Sequence, residues 1–164
     1  MISKAIQNAI NEQIKNEMYS SYLYLAMATY CAEENLPGFA QWLHMQSKEE
    51  NEHAMKFYGY IHSQGGHVEL SVIDKPPVKF KSPLDIFTHV LDHEKKVTAM
   101  IHKLYELALK EKDYPTQIML HWFIKEQVEE EESATQIIEK IRMIGDQGPA
   151  LIMLDRELGS RKGD

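Results

Sequence analysis

One cysteine, six prolines and eight glycines are all that 164 residues hold of the types that staple, break or punctuate a chain. A lone thiol, Cys31, cannot close an internal bridge, so the fold does not lean on an oxidising compartment and a reducing cytoplasm suits it. No apolar run approaches the roughly 18 residues that a membrane span needs. Lys4, Glu12, Lys15 and Glu17 interrupt the stretch from Met1 to Ser20, where an export signal would be apolar. Basic residues are in deficit as well. The 18 Lys and Arg against 25 Asp and Glu leave a formal charge of −7, which disfavours nucleic-acid phosphates and suits cations. What these absences leave is a chain of one-domain length with room for long helices.

Helical periodicity fills that room, and the few breakers cut it into segments. The first predicted helix runs from about Ser3 to Glu34 and ends at Leu36-Pro37-Gly38, where Pro37 suits an early position of the second. That one continues to about Gln64, before Gly65-Gly66. From Gly66 to Ser82 the pattern becomes extended, with alternating Val68, Leu70 and Val72 and then Pro76-Pro77. Ser82-Pro83 opens a third helix to about Lys112, and Asp113-Tyr114-Pro115 opens a fourth to about Ile144, with Gly145 as its C-terminal cap. Ala150 to Leu158 reads as a short fifth helix. The expectation is an all-α four-helix bundle over residues 1–145, with a long crossover between its second and third helices, and a short fifth helix and tail over 146–164 involved in assembly. A simple antiparallel bundle with a loose middle loop would give much the same pattern.

Every helix has an apolar stripe, and every stripe is broken near its midpoint. Ile6, Ile10 and Ile14 lead to Glu17 before Ser21, Tyr24 and Ala28; Phe39, Leu43 and Gln46 lead to Glu50 and His53 before Phe57 and Tyr60. Phe87 and Val90 precede Glu94, with Val97, Ile101, Leu104 and Ala108 beyond it; Leu120 and Phe123 precede Gln127 and Glu130, with Ala134, Ile137 and Ile141 beyond. Midpoints of packed helices meet whichever way each helix runs. Glu17, Glu50, His53, Glu94, Gln127 and Glu130 should therefore converge at the waist of the bundle.

Carboxylates crowded in a dry interior cannot all stay ionised without cations, because desolvation and like charge both favour the protonated acid. Two divalent metals would balance Glu17, Glu50, Glu94 and Glu130 and leave His53 as a neutral nitrogen ligand. Mixed carboxylate and imidazole ligation suits iron or manganese better than a closed structural zinc, and a single cysteine excludes a thiolate cluster. Di-metal carboxylate bundles use one Glu from each of two helices and Glu-x-x-His from each of the other two. Here the fourth helix offers Gln127-x-x-Glu130 in place of the second such pair, so the two metal positions should be unequal.

The stretches Tyr19-Ser20-Ser21-Tyr22-Leu23-Tyr24-Leu25, Glu49-Glu50-Asn51-Glu52-His53-Ala54 and Glu126-Gln127-Val128-Glu129-Glu130-Glu131 resemble bacterial-type non-haem ferritin. So do the Gly65-Gly66 turn, Lys75-Pro76-Pro77 in the crossover and the closing Leu154-Asp155-Arg156-Glu157-Leu158-Gly159. The resemblance implies iron storage in a homo-oligomeric shell of about 24 subunits, with Fe(II) oxidised by dioxygen or peroxide and kept as a ferric oxide mineral. It implies a first iron site of Glu17, Glu50 and His53 with Gln127 close by, and a second of Glu50, Glu94 and Glu130, with Glu50 bridging. Glu49, Glu126 and Glu129, sharing Glu130, resemble the family's third iron site, and Tyr24 its tyrosine beside the centre, an electron donor. The second Glu-x-x-His of the haem-containing relatives is missing, so no haem is expected, and Thr116 to His121 shows Gln117 and Leu120 where animal ferritins put acidic residues at a pore.

Plainer uses suit the remaining residues. His44, His62, His67, His89, His93, His102 and His121 show no site-making pattern and read as surface or packing, Trp122 suits packing, and the nine methionines suit flexible core filling. The fifth helix is too short to stand alone, so Leu151, Ile152, Met153 and Leu154 are expected against other chains. A di-iron peroxidase or oxygenase without storage would use the same bundle, and a non-catalytic scaffold would leave the inward acids without a purpose.

Overall fold

A computed structural model of the chain describes residues 1–145 and 148–162. Among the described residues five helices follow in order: α1 Lys4–Glu33, α2 Pro37–Ser63, α3 Pro83–Lys110, α4 Tyr114–Ile144 and α5 Pro149–Gly159. Their starts are set by short-range chemistry. Ser3, Ser82 and Asp113 each accept a hydrogen bond from the backbone N–H three residues on, at 3.3, 3.1 and 3.0 Å, satisfying a donor that a helix N-terminus leaves free. Prolines at the first turns of α2, α3, α4 and α5 lack the N–H that would be unpaired there. The ends are as regular. Asn35, Gly65 and Lys112 take the left-handed conformation at φ 61°, 69° and 54°. The residue after each then bonds the carbonyl five positions back: Leu36 to Cys31, Gly66 to Ile61 and Asp113 to Ala108, all at 2.9 Å.

The polarity of the bundle follows from which helix ends share a core. One apolar cluster joins the C-terminal half of α1 (Leu23 to Cys31), the start of α2 (Phe39 to Leu43), the start of α3 (Ile86 to Val90) and the end of α4 (Ala134 to Ile141). The other joins Ile6 to Ile14 of α1, Ala54 to Ile61 of α2, Val97 to Ala108 of α3 and Leu120 with Phe123 of α4. Thus α1 and α4 point one way and α2 and α3 the other, and the connection from α2 to α3 must travel the length of the bundle. It begins with Val68 against the second cluster and ends with Phe80 against the first. On the way Gln7 and Asn11 of α1 pair with its backbone, at His67 N (2.8 Å), His67 O (3.1 Å) and Glu69 N (3.1 Å). No strand forms among the described residues, and Leu70 and Val72 are exposed.

The fifth helix corrects one expectation. Leu151, Leu154 and Leu158 bury in the chain's own core, while Ile152 and Met153 stay exposed. Docking is specific: the Asp155 carboxylate accepts from the backbone N–H of Gly38 at 2.8 Å and of Phe39 at 2.9 Å. It thereby caps α2, whose own N-cap residue, Leu36, has no side-chain acceptor. Gly38 makes the approach possible, since a Cβ there would lie 1.6 Å from the Asp155 carbonyl oxygen. Two smaller corrections concern the stripes. Ser20, not Ser21, lies on the fully buried face of α1, and Tyr60 is only half-buried, its hydroxyl 2.8 Å from the Thr116 hydroxyl.

Candidate metal centre

Between the two apolar clusters lies a polar layer, with side chains from all four long helices. Glu17, Glu50 and Glu94 are each 1 % exposed, His53 4 %, Gln127 3 % and Glu130 7 %. Ligand atoms of Glu17, Glu50 and His53 lie within 4.8 Å of one another, and those of His53, Glu126 and Glu130 do likewise. His53 belongs to both groups, and its ring is set edge-on to Trp122 and Phe123, with centroids 5.3 and 6.0 Å away. Trp122 is thus partly a packing residue, as its type suggests, and partly a wall of the site.

Amides hold the carboxylates in place. Gln13 donates to Glu17 Oε1 at 2.8 Å, Gln46 to Glu130 Oε2 at 2.6 Å and more distantly to Glu50 Oε1 at 3.4 Å, and Gln127 to Glu94 Oε2 at 3.0 Å. Glu94 also receives a short hydrogen bond from the Tyr24 hydroxyl. It is therefore turned towards Tyr24 and Gln127 and stands outside both tight ligand groups. Glu17 Oε2 is buried with no hydrogen-bond partner. An orphaned carboxylate oxygen in a dry site is costly to leave unpaired, and it marks where a cation would sit.

The electrostatics agree with that reading. Burial, only partly offset by the neighbouring Glu50 carboxyl and the Gln13 hydrogen bond, pushes the Glu17 carboxyl up to about 7 from the usual 4.5. Burial and then repulsion from Glu94, Glu17 and Glu130 push Glu50 well up, and Glu130 and Glu94 rise chiefly through burial. His53 moves the other way, down to about 4, through burial and then the nearby Lys56 ammonium. A neutral imidazole among acids that reject charge is a donor set short of positive charge. Dications would relieve the strain on all four acids at once, so the residues fit a metal pair.

Of the remaining expected residues only Glu126 joins a tight group, with His53 and Glu130. Glu126 is half-buried, its carboxyl raised by burial and then by Glu129 and Glu49. Glu129 is exposed and 3.6 Å from Lys125. Glu49 is bound by Arg161. The four acids from Glu129 to Glu132 split as a helix demands, Glu130 buried and Glu131 half-buried, where it accepts from Thr98 at 2.7 Å. Leu120 is a core residue, and the half-buried Gln117 donates to the Ala108 carbonyl at 3.2 Å.

Sequence reasoning missed several contributors. Gln13 and Gln46 lie one turn before Glu17 and Glu50; that i, i+4 spacing was the only signal for Gln13, while Gln46 stood in the inward stripe without its role being read. His93, assigned to packing or surface, is half-buried with its Nε2 2.7 Å from the Ser20 hydroxyl and its ring 6.2 Å from that of Tyr24. Burial lowers it to about 4. Arg161 carried no signal at all.

Comparison with known proteins places this geometry. Residues 7–144 match the family described as ferritin-like domain. The chain is 45% identical over 161 residues to a bacterial non-heme ferritin of Bacteroides fragilis, covering 98% of this chain and 100% of that one. With a bacterial non-heme ferritin of Staphylococcus aureus the identity is 40% over 164 residues, covering 100% and 99%. Among solved structures, a closed form of the Archaeoglobus fulgidus ferritin made by site-directed mutagenesis superposes with a TM-score of 0.98 at 46% identity over 100% of both chains. The open pore ferritin of the same archaeon gives 0.97 at 46% identity over 98% of each. Family match, whole-chain identity and superposition agree with the bundle and its acid waist: the chain belongs to the ferritin family.

Proposed function

We propose that this protein is an iron-storing ferroxidase that takes Fe(II) in pairs at the bundle waist, oxidises it with dioxygen or peroxide and keeps the ferric product as a mineral inside a shell of about 24 subunits. The observation that carries the reading is the buried layer of Glu17, Glu50, Glu94, Glu130 and His53, with Glu17 Oε2 left without a partner. Iron enters here as substrate, and no haem is called for. Glu17, Glu50 and His53 form the first position, with Gln127 close by, and Glu50, Glu94 and Glu130 the second, Glu50 bridging. Two Fe(II) at adjacent positions supply the two electrons that reduce one dioxygen to the peroxide level.

The chain's own groups do the rest. Metal entry displaces the protons that burial holds on Glu17, Glu50, Glu94 and Glu130. His53 is neutral near pH 7 and binds without a proton to lose. Glu94 must swing from the Tyr24 hydroxyl towards the second metal, which leaves the Tyr24 hydroxyl beside the pair. A third position uses Glu49, Glu126 and Glu129 with Glu130 shared. A single buried thiol and the need for Fe(II) support work in a reducing cytoplasm.

Aerobic addition of Fe(II) in large excess over subunits, read together with particle mass, tests the reading. It predicts a soluble amber particle of multi-subunit mass whose iron content exceeds three per chain many times over. Uptake that stops at two or three iron ions, or a monomeric mass, would overturn it.

A further inference from the structure

We propose that Arg161 is a latch on the iron centre: its guanidinium neutralises Glu49, holding the third metal position closed, and fixes the amide of Gln46 that aims Glu130. Arg161 follows α5, and its backbone N–H bonds the Leu158 carbonyl at 3.3 Å, so the docked helix carries it back over α2. There its guanidinium lies over the Trp42 ring, 4.6 Å from the centroid. One terminal nitrogen donates to Glu49 Oε2 at 2.6 Å; the other donates to Gln46 Oε1 at 3.0 Å and reaches the Trp42 carbonyl at 3.4 Å. Stacked on a ring and forked between two acceptors, a guanidinium is held far more firmly than a free surface charge.

Two consequences follow from this geometry. Glu49 is already neutralised by Arg161, so a dication entering the opening lined by Glu49, Glu126 and Glu129 must displace that guanidinium from Glu49 in addition to passing Lys48 and Lys56, which line the same opening. Gln46, with its oxygen committed to Arg161, can only present its nitrogen inward, where it donates to Glu130 Oε2 at 2.6 Å. A tail residue 115 positions from Gln46 thus sets the pose of a ligand of the second metal through one amide. Arg161 is a positioning residue in this sense; it does not touch the metal pair.

The inference rests on Glu49, Glu126 and Glu129 acting as a third metal position, and redox-inert Zn(II) is a probe that separates the two ideas. Calorimetric titration of the full-length, chelator-stripped protein with Zn(II) should show two tight steps and one weak step per subunit. Arg161→Gln should tighten the third step about tenfold, the order of one unit charge acting on a dication across a few ångströms of water. Arg161→Lys keeps the charge and should leave the third step weak. Zn(II)-soaked crystals of Arg161→Gln should then show anomalous density at Glu49, Glu126 and Glu129 that the unaltered protein lacks at the same concentration. A third step equal in all three proteins would overturn the latch while leaving the two-metal reading intact. No Zn(II) uptake by the unaltered protein would overturn both. A merely structural Arg161, packed on Trp42, would lower the melting temperature in both variants without moving the third step, and that result also counts against the latch.

Discussion

Replacing Glu17 by glutamine should stabilise the metal-free protein, and the gain should grow with pH. The Glu17 carboxyl is raised in the folded state from the usual 4.5 to about 7, first by burial. Below pH 4.5 the acid is protonated in both folded and unfolded chains, so the substitution changes little there. As pH rises towards 7 the unfolded chain releases its proton and the folded chain keeps it, so folding becomes progressively less favourable. Above pH 7 the difference is complete, at about 3 kcal/mol for the interval from 4.5 to about 7 at ~1.36 kcal/mol per pH unit. The neutral amide of the Glu17→Gln variant would remove that cost, and its oxygen can still accept from Gln13, which now bonds Glu17 Oε1 at 2.8 Å. For a chain of 164 residues, about 3 kcal/mol corresponds to a rise in melting temperature of about 6–12 °C. Scanning calorimetry of chelator-treated protein should show about 1 kcal/mol of gain at about pH 5 and about 3 kcal/mol at about pH 8.5. Saturating Zn(II) should reverse the order, because the unaltered carboxylate then has its cation. A gain independent of pH, or a loss in the alkaline scan, would refute the assignment of Glu17 as an uncompensated buried acid.

Three further outcomes are expected. His53→Ala should slow initial Fe(II) oxidation by at least about tenfold in stopped-flow absorbance while gel filtration shows unchanged assembly, since even the groups that support metal ligands are commonly worth about 10–100-fold. Zn(II) binding near pH 7 should release protons to the buffer, because Glu17, Glu50, Glu94 and Glu130 are all raised; calorimetry in two buffers of different ionisation enthalpy would show a buffer-dependent heat, and equal heats would contradict it. Asp155→Ala should cost about 1–2 kcal/mol in denaturant unfolding, since it leaves the Gly38 and Phe39 N–H groups without their acceptor.

Much of this was legible in the residues because ferritin-type bundles state their chemistry against a simple background. A glutamate in a stripe of isoleucines is conspicuous, and the caps at Ser3, Ser82 and Asp113 are local signals that needed no tertiary knowledge. The two apolar clusters on either side of the acid layer are the stripes themselves, interrupted where the sequence interrupts them. What escaped was whatever depends on contact between distant segments. Asp155 capping α2 across 117 positions leaves no pattern in either segment. Leu151 and Leu154 read as a surface for other chains because a short helix has no partner in its own periodicity; the partner is α2, reached through the glycine at position 38. Arg161, and the bond by which it turns the inward Gln46, escaped for the same reason. The orientation of Glu94 towards Tyr24 escaped too, because facing can be read from period and side-chain pose cannot.

Acids from four helices sharing one cation-seeking space at the waist are the centre of this account, and crystals soaked with Fe(II) under anaerobic conditions and measured at the iron absorption edge test it most directly. Two anomalous peaks per subunit are predicted, one among Glu17, Glu50 and His53 and one among Glu50, Glu94 and Glu130, with Glu94 drawn away from Tyr24. Iron found only on the exposed acids, with the waist empty at saturating Fe(II), would contradict the account.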